Sequence, residues 1–234
     1  MSTEELLAIA PMWYVAFLLS LTCHEAAHAL VADWLGDSTA AAGGQVTLNP
    51  VPHIQREPFG TVFVPIISLV LAHWMIGWAS APYDPHWQQR YPRRAAWMAL
   101  AGPAANLILA VASAVAIRIG IATGYLFLPA GISFTRIVDG TPDEISAAIA
   151  TFLSILFAQN LLLMSFNLLP VPPLDGHVAV GLFLSEQATL KFIDFMRQPG
   201  FGLIGLIIAW NLFGRIFQPI FIAGVRLLYF GYGG

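Results

Sequence analysis

Charge is scarce in this chain: of 234 residues, 10% are Asp, Glu, Lys or Arg, while 58% are hydrophobic. A soluble domain of that size carries about 25% charged side chains. With a mean hydropathy of +0.73, the composition excludes an ordinary water-soluble globule and points to an integral membrane protein. The length suggests a single domain over residues 1–234. Basic clusters are few as well. The formal net charge is −3, and no basic stripe or aromatic-interleaved patch appears, which excludes nucleic acid as a partner. Cys23 is the one cysteine, so no intrachain disulfide can form. It directly precedes His24, but adjacent helical residues point about 100° apart, so it reads as a small buried residue rather than a ligand. The N-terminus lacks the basic region and small-residue cleavage site of a signal peptide, and its first apolar run is expected to persist as a spanning helix. No internal repeat is found.

Against that background the stretch Leu21–Leu30 reads L-T-C-H-E-A-A-H-A-L. His24 and His28 lie four residues apart, on one helix face and about one turn (~5.4 Å) from each other, where both can ligate one zinc ion. Glu25, beside the first histidine, is placed to take the proton of a water activated at that ion. The bland alternative is a chance match on an amphipathic helix. It fits poorly, because from Leu6 to Val31 the only strongly polar side chains are these three. An ionisable side chain near the centre of an apolar span costs at least ~2.5 kcal/mol and usually marks function.

A catalytic zinc takes three protein ligands and keeps one open position. Asp175 is the strongest third candidate. It is the one acid at the break Asn167-Leu-Leu-Pro-Val-Pro-Pro-Leu-Asp175-Gly176, where three prolines in four residues stop a helix. Broken backbone at membrane depth is tolerated only where protein or water satisfies it, so this break is expected to line a cavity. Asp175 capping the helix that follows is the competing reading, and a two-histidine site in need of a third ligand weighs against it.

The remaining segments follow from hydropathy and breakers. Residues 6–32 and 95–117 read as spans, each long enough for ~30 Å of hydrocarbon. Residues 145–174 run without a charge until the proline break, and 201–230 form either one long helix or a tight helical pair. Between the first two spans, Gln45–Pro50 alternates like a strand and suggests a short strand or hairpin with a free edge within 37–58. Residues 59–80, interrupted by Gly60, Pro65 and Gly77, are either a kinked span or a re-entrant segment. His53 reads as a hydrogen-bonding or surface residue, His73 as a packed or hydrogen-bonded one and His86 as solvated, rather than as ligands. Asn106 follows the small residues Ala101-Gly102-Pro103-Ala-Ala and serves either helix packing or catalysis. Arg90, Arg93 and Arg94 form the densest basic cluster and mark the cytoplasmic side. If 59–80 re-enters, the N-terminus lies outside; if it crosses, inside. The expected fold is an all-α polytopic membrane protein, a bundle of about 4–6 membrane segments with a short re-entrant β-hairpin.

The pairing of His24-Glu25-Ala-Ala-His28 with Asn167 through Gly176 resembles the site-2 protease family of intramembrane zinc metalloproteases. Gly102-Pro103-Ala-Ala-Asn106 matches a third motif of that family, and Gly44-Gln45-Val-Thr-Leu-Asn49-Pro50 with His53 is similar to its compact bacterial members. The similarity spans roughly residues 20–180. It implies one zinc ion per chain held by His24, His28 and Asp175, Glu25 as catalytic base, and Asn167 as a group that binds substrate or the oxyanion. It also implies a multi-pass protein of the bacterial cell (inner) membrane that hydrolyses peptide bonds in or near transmembrane segments. Single-span regulators such as anti-sigma factors, or signal-peptide remnants, are the substrates it suggests. Two departures are visible: no span reads before the metal-binding helix, and nothing reads as a PDZ or CBS domain. Rival readings are a membrane metal transporter, expected to show ligands along a transit route, and a catalytically inactive scaffold, expected to have lost Glu25 or a ligand. Neither pattern is present. The sequence leaves the oligomeric state undetermined.

Overall fold

Where a chain meets lipid, every backbone polar group needs an internal partner, and long apolar runs become helices. The computed structural model describes residues 3–72 and 74–232 and bears this out. Among the described residues four helices are long and apolar enough to cross a membrane: α1 (Thr3–Trp34), α6 (Pro92–Ala122), α7 (Glu144–Asn167) and α10 (Phe201–Leu228). Shorter helices connect them: α2 (Thr39–Ala42), α3 (Pro50–Arg56), α4 (Val64–Ala72), α5 (Pro85–Arg90), α8 (Gly176–Ala179) and α9 (Glu186–Met196). The expected all-α polytopic bundle is thus the observed one, and the protein is a multi-pass integral membrane protein. The C-terminal apolar run resolves into one helix, α10, which continues through Pro219.

α1, α6 and α7 pack against one another and form the centre, while α10 lies against α7. Contacts between helix ends define two faces. At one end Arg94 Nη1 donates to Leu35 O (3.0 Å), and Arg197 of the loop after α9 reaches Gln88 of α5. At the other, Arg118 Nη1 donates to Leu228 O (2.8 Å) and to Phe230 O (3.1 Å). Arg90, Arg93, Arg94, Lys191 and Arg197 all belong to the first, basic end.

A small antiparallel sheet sits at the opposite end, pairing β1 (Leu126–Phe127) with β2 (Asp139–Gly140). Its loop is held by Arg136, whose Nε and Nη2 each donate to Asp139 at 2.7 Å. That fork holds the Asp139 carboxyl below the usual carboxylate range. Burial, aided by the Asp139 charge, pushes the Tyr229 hydroxyl up to about 12, so it stays a donor to Ile137 O and ties the loop to the end of α10.

The alternating run Gln45–Pro50 carries no strand. Residues 45–49 are irregular and lead directly into α3. Helix-start chemistry prevails over the period-2 pattern here. The Asn49 side chain accepts from Val51 N (3.0 Å) as N-cap, and Pro50 supplies the φ of a first helical residue. His53, buried on α3, donates through Nε2 to Thr47 O (3.1 Å), the first of the two roles expected of it. His86 is exposed. His73 lies outside the described residues.

Residues 57–80 leave the bundle end and return to it. A π-helical turn at Phe59–Phe63 leads into α4, and this stretch is bent 113° from α3. Past α4, Met75 packs with Trp13, Phe17 and Leu21 of α1. Residues 75–84 then run back without regular structure. Trp78 N donates to Gly60 O (3.1 Å), Arg56 Nε to Ser80 O (3.0 Å), and Ser80 Oγ to Glu57 Oε1 (2.8 Å). The two arms pass so closely that a Cβ on Gly60 would lie 2.2 Å from Trp78 O. A segment that ends where it began has the geometry of re-entry, not of crossing.

Candidate metal centre

α1 presents His24, Glu25 and His28 inward, all buried (4%, 4% and 7% exposed). About 15 Å of helix separates His24 from Trp34 at the basic end. α6 crosses α1 at this level, and there it has no side chain. A Cβ built on Gly102 would stand 2.4 Å from His28 Nε2 and 2.5 Å from His24 Nε2. The third arm arrives from the break after α7, where residues 168–175 turn irregularly around the cis Pro172–Pro173 peptide bond. Asp175 precedes α8 but makes no side-chain cap hydrogen bond. Its carboxylate turns to the histidines instead, with Oδ2 3.0 Å from His24 Nε2 and Oδ1 3.3 Å from His28 Nε2.

The other ring nitrogens decide the electronic state of these atoms. His24 Nδ1 lies 2.7 Å from Asn106 Oδ1. The Asn106 amide nitrogen is committed to Asn160 Oδ1 (2.9 Å) and Ser20 O (3.3 Å), so its oxygen faces His24 and can only accept. His28 Nδ1 lies 2.7 Å from Met98 O, again an acceptor. Both rings therefore carry their proton on Nδ1 and present a bare lone pair at Nε2. These lone pairs face each other at 3.0 Å, with a carboxylate across from both. Such a set repels itself unless a cation sits within it. A proton on one ring would quiet one pair; a metal ion quiets all three.

The spacing agrees with a metal. In a tetrahedral site with bonds of ~2.0–2.1 Å, ligand atoms stand about 3.3 Å from one another. His24, His28 and Asp175 form a group able to hold an ion, their donor atoms within 4.8 Å. The Gly102 gap leaves room beside both nitrogens, and Asp175, 21% exposed at its side chain, leaves the group open to water on one side. Glu25 Oε2 is buried with no hydrogen-bond partner among the described residues. A carboxylate oxygen left that way beside a ligand set fits a group waiting for a proton. The residues present suit zinc: two imidazoles, one carboxylate and one open position.

The structure thus brings together His24, His28 and Asp175 from the two sequence motifs, with Glu25 beside His24. Asn167 is placed differently. It is the last residue of α7, half-buried, and among the described residues its amide stands outside the hydrogen bonds that hold the histidines. Asn106 does not serve packing alone; it is the group that orients His24. Sequence reading passed over Asn160, Ser20 and the Met98 carbonyl. Asn160 did leave a signal, an uncharged amide inside an apolar run. A backbone carbonyl leaves none.

The profile of Peptidase family M50 matches residues 12–208. "Putative zinc metalloprotease YwhC" of Bacillus subtilis (strain 168) is 34% identical over 237 residues, covering 92% of this chain and 96% of that protein. "Putative zinc metalloprotease Rip2" of Mycolicibacterium smegmatis is 29% identical over 217 residues, covering 89% of this chain and 74% of the relative. Its namesake in Mycobacterium tuberculosis (strain H37Rv) is 30% identical over 210 residues, 90% and 71% of the two chains. No solved structure matches. With the family profile covering most of its length, this chain belongs to peptidase family M50, the site-2 protease family of zinc metalloproteases.

Proposed function

We propose that this protein is an intramembrane endopeptidase that cleaves membrane-protein substrates in or near their transmembrane segments. The observation that carries the reading is the meeting of three electron-rich donor atoms inside a bundle of apolar helices, beside a Glu25 whose buried Oε2 has no hydrogen-bond partner among the described residues. His24 Nε2, His28 Nε2 and an Asp175 oxygen would hold one zinc ion. When bound, zinc polarises a scissile carbonyl and lowers the pKa of water toward ~7. Glu25 Oε2 takes the proton of the attacking water and delivers it to the leaving amine. Asn167, at the edge of the break, donates from its amide to the oxygen of the carbonyl under attack, a contribution of roughly 3 kcal/mol where such donors have been removed. Water enters through the break around Asp175, and α1, α6 and α7 keep lipid out. The substrate helix must unwind first, because its own hydrogen bonds shield its peptide bonds. We place the protein in a bacterial cell membrane as one protease domain over residues 1–234.

Glu25→Gln tests the chemistry. The amide keeps the size of the side chain but cannot take a proton. Zinc stays bound, the protein stays folded in detergent, and cleavage of a co-expressed single-span reporter falls by about 10²–10⁴-fold. The reporter still co-purifies. Cleavage at the native rate would end the hydrolase reading and favour a transporter or scaffold.

A further inference from the structure

α10 is the least enclosed of the four long helices: 11% of its apolar window is buried, against 61% for α7. Its inward face carries Gly205, Ala209, Phe213, Val225 and Leu228. On the opposite face Asn211, Arg215, Gln218 and Ile222 follow at spacings of four, three and four, and all are exposed. Three polar side chains therefore form a stripe on the side of a membrane helix that faces away from its own bundle. Arg215 is the centre of that stripe. About 21 Å of helix precede it and about 20 Å follow. In a hydrocarbon layer of ~30 Å it stands near mid-depth, farther from either interface than snorkelling covers. Among the described residues it makes no hydrogen bond, ion pair or ring contact. Asn211 bonds back to Ile207 O (2.8 Å), which leaves its own oxygen pointing outward. Toward the C-terminal end the face continues into a groove of about 520 Å³ lined by Pro219, Ile222, Ala223, Arg226, Leu227 and Phe230.

An arginine held at that depth calls for a carboxylate. The described residues have none to offer. Among the described residues, the acids at membrane depth are Glu25 and Asp175, both turned into the metal centre. A second copy is excluded by the same charge: copies related by an axis normal to the membrane bring their two Arg215 side chains to one depth. Charge complementarity leaves a different protein. We propose that the Asn211–Arg215–Gln218 face of α10 docks a transmembrane helix of a partner protein that carries an Asp or Glu at mid-membrane depth, paired with Arg215. The inference does not depend on the protease reading.

The protein, reconstituted in phosphatidylcholine vesicles, is titrated with a synthetic single-span Leu/Ala helix bearing one central Glu, and association is read by fluorescence energy transfer. The expected result is binding about tenfold tighter than that of the same helix with a central Gln. Arg215→Leu erases the difference, Arg215→Lys keeps it, and Arg215→Glu moves the preference to a helix with a central Lys. Bound zinc, unchanged in all three variants, reports that the bundle is intact. Equal binding of the Glu and Gln helices would overturn the proposal, as would a Glu preference that survives Arg215→Leu. So would displacement of the helix by self-association through α10 or by labelled anionic phospholipid.

Discussion

At the scale of single residues, the histidines of the centre are governed by what holds their far nitrogens. Asn106 can accept from His24 Nδ1 because its amide nitrogen is tied to Asn160 and Ser20. Asn160 is tied in turn, through its own amide nitrogen, to Ser20 Oγ (2.9 Å) and Leu156 O (2.8 Å). Losing a group that orients a metal ligand costs about 10–100-fold in metal affinity. Asn106→Leu is expected near the top of that range and Asn160→Leu near the bottom, since Ser20 O still orients Asn106. Chelator competition measures both, and two unchanged affinities would sever the network from the site. Asp175→Ala removes a proposed ligand outright, and metal analysis should show the purified protein falling from about one zinc per chain. Full occupancy at native affinity would take Asp175 out of the centre. The two motifs were legible as ligands because their chemistry is local. Asn106 was legible as a motif residue with a role in packing or catalysis, but not as the group that orients His24, because that partner lies 82 residues away.

Among elements, α6 matters to the centre through a missing side chain. Gly102 lets that helix cross α1 at the level of both Nε2 atoms, and Gly102→Ala would put a methyl group into the space an ion needs. Overpacking at a buried crossing costs about 1–3 kcal/mol. The expected outcome is a helical protein by circular dichroism that has lost its zinc. A variant retaining full zinc would show that the crossing relaxes without harm. Sequence patterns identified the long helices well, since an apolar run of sufficient length has one solution in lipid. They misplaced the strand. Gln45–Pro50 alternates, yet Asn49 and Pro50 start a helix there, and the observed pairing lies at Leu126–Phe127 and Asp139–Gly140. Two-residue strands carry too short a pattern to be seen in a sequence.

For the whole molecule, the return of residues 57–80 to their starting point sets the number of crossings. Four spans place the start of α1 and the end of α10 at the same face, opposite the basic end. The positive-inside rule then predicts that Arg90, Arg93, Arg94, Lys191 and Arg197 lie in the cytoplasm and the N-terminus outside. Single cysteines at Glu4 and Gln89, both exposed, in a Cys23→Ser background test this with an impermeant label. They are expected to react from opposite sides of the membrane. Reaction from one side would mean that 59–80 crosses.

The sequence by itself determined the class of protein, three of the four long helices, the two motifs and the type of ion they suit, while 201–230 became a single helix only in the structure. Each of these is set by composition or by spacing along one helix or one break. Tertiary structure alone decided the rest. It bent 57–80 back on itself through the hydrogen bonds Ser80 makes with Glu57 and Arg56, and it aimed Asp175 at two histidines some 150 residues earlier rather than at its own helix. It also turned Arg215 away from the bundle. The physical reason is the same in each case. Which face of a helix is inward depends on the neighbours it packs against, and those neighbours are distant in the chain.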